Sequence, residues 1–151
     1  MRDRFAKPSG SVANTSMNYE LTVAVRGQGL YDVTHKVAET VRNSGITDGL
    51  ATVFIRHTSA SLIIQENADP AVRADLQRWM NRLVPENDAL YTHTAEGADD
   101  MPAHIKGALT AVSLSVPVLS GELGLGTWQA IYLWEHRHHR GERRLIVNVL
   151  G

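Results

Sequence analysis

The stretch Trp128–Leu150, WQAIYLWEHRHHRGERRLIVNVL, decides the fold. It holds two runs rich in β-branched, aromatic and aliphatic residues, Trp128 to Glu135 and Arg144 to Leu150, with no helical segment between them. Parallel strands need a crossover of a dozen or more residues, usually a helix. The link His136–Arg143 is too short for one, is charged and contains Gly141, so a hairpin is expected. Strands that follow one another in this way point to an α+β fold with a mainly antiparallel sheet, and against a doubly wound one.

Working outward, Val116 to Leu119 is a short strand, with Pro117 favouring an edge or an end. Gly121, Gly124 and Gly126 punctuate the turn that follows. Upstream, Tyr19 to Arg26 alternates, with Leu21, Val23 and Val25 on one face as in a half-buried strand. Gly27 and Gly29 then turn the chain. Thr34 is placed to cap a helix with Val37 and Val41 on one stripe and Gly45 as its stop. Leu50 to Ile55 is apolar and β-branched and reads as a well-buried strand. Asp69-Pro70 is a strong helix start, because Asp caps and Pro at the first helical position forfeits no needed N–H. Val72, Leu76, Met80 and Leu83 form the stripe of that helix, and Pro85 ends it. Glu86 to Asp100 is a long polar loop. Ala103 to Val112 is a short helix with Ile105 and Leu109 inward.

The bulk numbers narrow the function. The 151 residues fit one domain, expected over 17–151. Residues 1–16 are polar and aperiodic and read as a flexible tail, an upstream start or a cloning remnant, with Met17 as an alternative start. The formal net charge of -1 offers no one-signed field for nucleic acid or a membrane surface. No apolar run approaches the roughly 20 residues that cross a bilayer, and no secretory leader is legible, so the default location is cytoplasmic. The chain has no cysteine, which removes disulfides, thiolate ligands and a cysteine nucleophile. Its seven histidines leave room for an imidazole–carboxylate metal site.

Three segments carry chemistry-bearing residues. His57-Thr58-Ser59-Ala60-Ser61 follows a strand and leads to Glu66-Asn67-Ala68-Asp69. Asp99-Asp100-Met101-Pro102-Ala103-His104 puts two carboxylates and an imidazole at a helix start. Imidazole and carboxylate are good ligands for a divalent ion such as Zn²⁺ or Mg²⁺. The plainer alternatives are a backbone-bonded His57, a solvated Glu66, and Asp99 and Asp100 as helix caps. Gly124-Leu125-Gly126-Thr127-Trp128-Gln129, followed by Glu135, is not a phosphate-binding P-loop, since no Lys-Ser/Thr and no helix follow. A sharp turn, a core Trp128 and a cross-strand ion pair for Glu135 are its ordinary meanings. The run His136–Arg140 reads as a solvated loop tip, and His35 and His93 as surface or structural residues. Ser59 and Ser61 lack the Gly-x-Ser-x-Gly elbow of a serine hydrolase.

Taken together in this order, the motifs His57-Thr-Ser-Ala-Ser with Glu66-Asn67-Ala68-Asp69-Pro70, Asp99-Asp100-Met-Pro-Ala-His104-Ile-Lys106, and Leu123-Gly-Leu-Gly-Thr127-Trp128-Gln129 with Glu135 resemble the YjbQ-like proteins, the UPF0047 group. The resemblance runs from about Glu20 to Gly151. It implies an α+β fold with a β-sandwich or half-barrel core, a homotrimer with pockets near subunit interfaces, and a metal pocket built from the histidine motifs. Carried over by position, the metal ligands are His57, His104 and Asp99, with Glu66, Asp100 and Glu135 as catalytic carboxylates. Thr58, Ser59, Asn67, Thr127, Gln129 and Arg144 are the expected substrate-binding residues. The basic segment around His138 and the Asp99-Asp100-Met101-Pro102 sequence, where some relatives are asparagine-rich, set this chain apart. The activity attached to the family is secondary thiamine-phosphate synthesis, joining a hydroxymethylpyrimidine diphosphate to a thiazole phosphate with release of pyrophosphate.

The leading expectation is a metal-assisted enzyme on a small phosphorylated substrate. A metal-dependent hydrolase, with Glu66 or Glu135 activating water, is a second expectation. A non-catalytic trimer that binds a metabolite or a metal is the third.

Overall fold

The computed structural model describes residues 14–151. The part of the expected tail at 1–13 lies outside the described residues. Thr15 and Ser16 do not belong to a tail: Thr15 exchanges two backbone hydrogen bonds with Gly151, and Ser16 opens the first strand.

Among the described residues, eight strands and three helices follow in the order β1 (Ser16–Arg26), β2 (Gly29–Asp32), α1 (Thr34–Ser44), β3 (Gly49–Ile55), β4 (Ala60–Glu66), α2 (Pro70–Leu83), α3 (Asp100–Leu109), β5 (Ser113–Leu119), β6 (Glu122–Leu123), β7 (Gln129–Glu135) and β8 (Arg140–Leu150). A five-stranded sheet runs β1-β8-β3-β5-β6, and a three-stranded sheet runs β2-β7-β4. Every pairing is antiparallel. The expected α+β half-barrel is therefore the fold.

The core lies between the sheets and under α1. Alternation puts Val23 and Val25 of β1, Ala51, Val53 and Ile55 of β3, and Leu145, Val147 and Val149 of β8 on one inner face. Val37 and Val41 of α1 close over them, and Gly45 ends that helix in the left-handed conformation at φ 70°. Asp69 caps α2 by accepting a hydrogen bond from the Ala71 N–H at 2.8 Å. Among the described residues no helix is long and apolar enough to cross a membrane.

Several local expectations change. β7 and β8 do not form a hairpin. β7 pairs with β2 and β4, whereas β8 pairs with β1 and β3, so His136–His139 carries the chain from one sheet to the other. Two strands and a short polar link look the same in sequence whether they pair together or pair elsewhere. β3 is half-buried, with Leu50 and Phe54 turned outward, because only one face of its sheet meets the core. Thr34 does not cap α1. Val33 holds that position, and the Thr34 hydroxyl accepts a hydrogen bond from the Ile131 N–H. The α2 stripe buries only Met80, leaving Trp79 and Leu83 half exposed, and Leu109 and Trp128 are exposed as well. β2 and β4 form where the sequence reads only as turn and polar cluster.

Candidate functional site

Two chain crossings between the sheets meet at one end of the half-barrel. Residues 56–59 lead from β3 to β4, and residues 136–139 lead from β7 to β8. They are bonded to each other, the His136 N–H donating to the Ser59 carbonyl at 3.3 Å. The N-terminus of α3 and the loop before it pack against this junction. Gly97, at φ 111°, lets that loop turn into the helix, and its carbonyl accepts from the Asp100 N–H.

This geometry gathers His93, Asp100 and His104, one potential ligand atom from each lying within 4.8 Å of the others. His93 Nε2 is 2.8 Å from Asp100 Oδ2, and His104 Nε2 is 3.4 Å from the same oxygen. Asp100 and His104 stand one helical turn apart, so one face of α3 presents both. His104 Nδ1 lies 3.2 Å from the Thr58 carbonyl. A carbonyl only accepts, so Nδ1 donates to it and the other ring nitrogen, Nε2, faces the cluster. Arg137 Nη1 holds Asp100 Oδ1 at 2.8 Å, which fixes the carboxylate although its side chain is almost fully buried. Two imidazoles and one carboxylate with open positions suit a catalytic divalent ion.

His93 was expected to be a surface or structural residue, and nothing in the loop's pattern marks it. Asp99, expected as a ligand, faces Arg137 instead, through Nε at 3.2 Å and Nη2 at 3.1 Å, and also accepts from the His138 N–H. Burial pushes its pKa up, but these bonds prevail and hold it at about 2. Its side chain therefore does not cap α3.

His57 stands beside the cluster and not in it. Its Nε2 accepts from the Arg144 N–H at 3.0 Å, which occupies the lone pair a metal would need. Burial, then the Arg143 charge, lowers its pKa, so the ring is neutral at pH 7. His57, Thr58 and Ser59 line a cavity of about 540 Å³ together with Arg56 and Arg143. Arg143, not among the residues expected to bind substrate, joins Arg56 in this cavity. The side chain of Arg144 points away, to Glu20 at 3.7 Å.

Glu135 sits behind the cavity, fully buried, and binds Arg143 through both oxygens, at 2.5 and 2.9 Å. It also accepts from the Arg137 N–H at 3.0 Å. So placed, it orients Arg143 and has no open path to a substrate. The ion pair is the ordinary alternative raised for this residue, although it is buried and spans the crossing between two sheets. The expected solvated loop holds for His138, His139 and Arg140, which are exposed, but not for its start: His136 is sealed, hydrogen-bonded to Ser61 Oγ at 2.8 Å, and Arg137 is the clamp on both aspartates. Burial, then the Lys106 charge, depresses the pKa of His136 to about 3.

The remaining predicted residues are elsewhere. Glu66 pairs with Gln129 at the far end of β4 and β7, while Ala60 pairs with Glu135 at the near end. At about 3.3 Å per residue, that separates Glu66, Asn67, Thr127 and Gln129 from the His57 end by about 20 Å. The Gln129 side chain folds back to accept the Gly126 N–H at 2.8 Å and so closes its own turn.

The family described as UPF0047 protein YjbQ-like matches residues 19–151. The chain belongs to this family. A UPF0047 protein of Synechocystis is 53% identical over 131 residues, covering 87% of this chain and 89% of the relative. The UPF0047 protein YjbQ of Escherichia coli O157:H7 is 43% identical over 132 residues, covering 87% and 95%. The crystal structure of a YbjQ-like protein of unknown function from Sulfolobus solfataricus superposes with a TM-score of 0.84 at 26% identity, covering 92% of this chain and 99% of the other. An uncharacterised YjbQ/UPF0047 protein of Clostridium acetobutylicum gives 0.77 at 36% identity, covering 88% and 98%.

Proposed function

We propose that this chain is a metal-assisted enzyme acting on a small phosphorylated substrate, with thiamine-phosphate synthesis, the activity attached to the family by resemblance, as its reaction. The observation that carries the proposal is the junction at Thr58. Its carbonyl orients His104 of the His93–Asp100–His104 cluster, and Thr58 also lines the cavity shared with Arg56, His57, Ser59 and Arg143. A divalent ion held by the cluster would neutralise a leaving diphosphate. Around it, Arg143 and the Thr58 and Ser59 hydroxyls grip phosphate oxygens, and His57, whose Nδ1 lies 3.4 Å from Arg143 Nη1, lines the same wall. Glu135 holds the Arg143 guanidinium in one orientation, so little rearrangement is needed when the substrate arrives. A hydrolase that uses Glu135 as its base fits poorly, because that carboxylate is buried and paired.

The homotrimer belongs to the same proposal. Leu50, Phe54, Leu119 and Leu150 share the outward face of the five-stranded sheet and remain exposed, which suits burial against further copies.

The test combines metal content with turnover. His93→Ala, Asp100→Asn and His104→Ala should each lose stoichiometric Zn²⁺ or Mg²⁺ on dialysis, whereas His57→Ala should keep the metal and lose affinity for the phosphorylated substrate. Metal retained in all three cluster variants, or synthesis of thiamine phosphate that persists in them, would sink the reading.

A further inference from the structure

On the opposite side of α3 from the metal cluster, Lys106 is almost completely buried, with a relative exposure of 1%. Its Nζ donates to Asn81 Oδ1 at 2.6 Å, and among the described residues it enters no ion pair. An ammonium offers three donors, and a buried charge without a partner is costly. The surroundings fix this arrangement. Trp134 Nε1 donates to Gln77 Oε1 at 2.8 Å, Gln77 Nε2 donates to Asn81 Oδ1 at 3.1 Å, and Asn81 Nδ2 donates to Gln28 Oε1 at 3.0 Å. Gln28 Nε2 in turn donates to the His136 carbonyl at 2.9 Å. With these amides committed, Asn81 can present only its oxygen to Lys106. Lys106 belongs to the lining of a cavity of about 260 Å³ that Gln28, Asn81, Glu86 and His138 also line. Glu86, the one carboxylate there, is bonded to His138 Nε2 at 2.7 Å.

The geometry points to a second binding site, in which an oxyanion — a phosphate or a carboxylate group of a small molecule — enters the Gln28–Asn81–His138 cavity and pairs with Lys106. The site is separate from the cavity of Arg56 and Arg143 and does not depend on the function proposed for that end. The cavity admits a small anion with a short apolar or polar body resting on Val84 and Pro85. The ligand completes the ion pair that the chain leaves open, and the rigid amide network holds the lysine ready for it.

The Trp134 indole N–H belongs to this network and makes a local reporter. The full chain, labelled with ¹⁵N and freed of metal with a chelator, is titrated with inorganic phosphate and with malonate at constant ionic strength. The expected result is a saturable displacement of the Trp134 indole signal. A response to phosphate alone assigns the site to phosphoryl groups, and a response to malonate alone assigns it to carboxylates. Lys106→Met removes the ammonium at similar volume and should weaken binding at least tenfold. Asn81→Asp supplies an internal carboxylate in place of the ligand. It should abolish the displacement while raising the melting temperature, and it carries the test if the methionine variant does not fold. No saturable displacement with either anion, or an undiminished one in Asn81→Asp, overturns the proposal.

Discussion

The sealed imidazole of His136 makes acid stability the sharpest quantity to measure. Its ring is fully buried, its Nε2 is bonded to Ser61, and its Nδ1 has no partner within the described residues. Burial, seconded by the Lys106 charge, takes its pKa from 6.5 down to about 3. In the unfolded chain the same ring titrates near its ordinary value of about 6.5. Between these limits the unfolded state binds a proton that the folded state refuses. The contribution to stability is therefore complete above about pH 6.5 and declines as the pH falls toward about 3. At about 1.4 kcal/mol per pH unit, a change from pH 7.5 to pH 4.5 costs about 3 kcal/mol through this group alone. Urea unfolding at the two pH values reads it out, and a slope of about 2 kcal/mol per molar makes it a drop of about 1.5 M in the midpoint. The control is His136→Gln, whose amide can still bond Ser61 but does not titrate. His57, also lowered mainly by burial, adds a loss of the same sign to both proteins and cancels in the comparison. If wild type and His136→Gln lose equal stability between pH 7.5 and pH 4.5, His136 is not held neutral by burial and the reasoning fails.

Glu135→Gln leaves the Arg143 guanidinium buried without its counter-ion and should lower stability by about 3–5 kcal/mol in urea titrations. The double variant Glu135→Met/Arg143→Met, which removes both charges, should be more stable than that single variant. Light scattering of the wild type is expected to return the mass of three chains, and Phe54→Asp, which places a charge on the outward face of the five-stranded sheet, should return the mass of one. A wild-type mass of one chain would refute the trimer.

The sequence was most legible where a local rule acts alone. The β1 alternation, the Asp69-Pro70 start of α2, the Gly45 stop of α1 and the long loop before α3 are each set by neighbouring residues, and each is present. It was least legible where the outcome depends on which distant partner a segment finds. The β7–β8 link looks like a hairpin until β1 and β4 compete for the same strands. The same limit governs the site. Asp100 and His104 are readable because one helical turn joins them. His93 enters from an aperiodic loop, and Arg137 and Arg143 gain their roles only when residues 136–139 cross between the sheets and lead into β8. Asp99 and Asp100 are adjacent in sequence, yet only Asp100 faces the histidines while Asp99 faces Arg137. Glu66 and Gln129 belong to motifs that run along strands, and strand length carries them to the far end.

The junction of the two crossings has a consequence for how such a protein can change over generations. Residues 57–59 and 136–138, like His93, Asp100 and His104 of the metal cluster, lie outside the strand registers that hold the half-barrel together, whereas Arg143 and Glu135 lie within β8 and β7. A substitution there alters what the pocket recognises without shifting any strand by one residue, the error that would turn a whole face inside out. Selection can thus revise the ligand and keep the scaffold, because recognition and architecture are written in different parts of the chain.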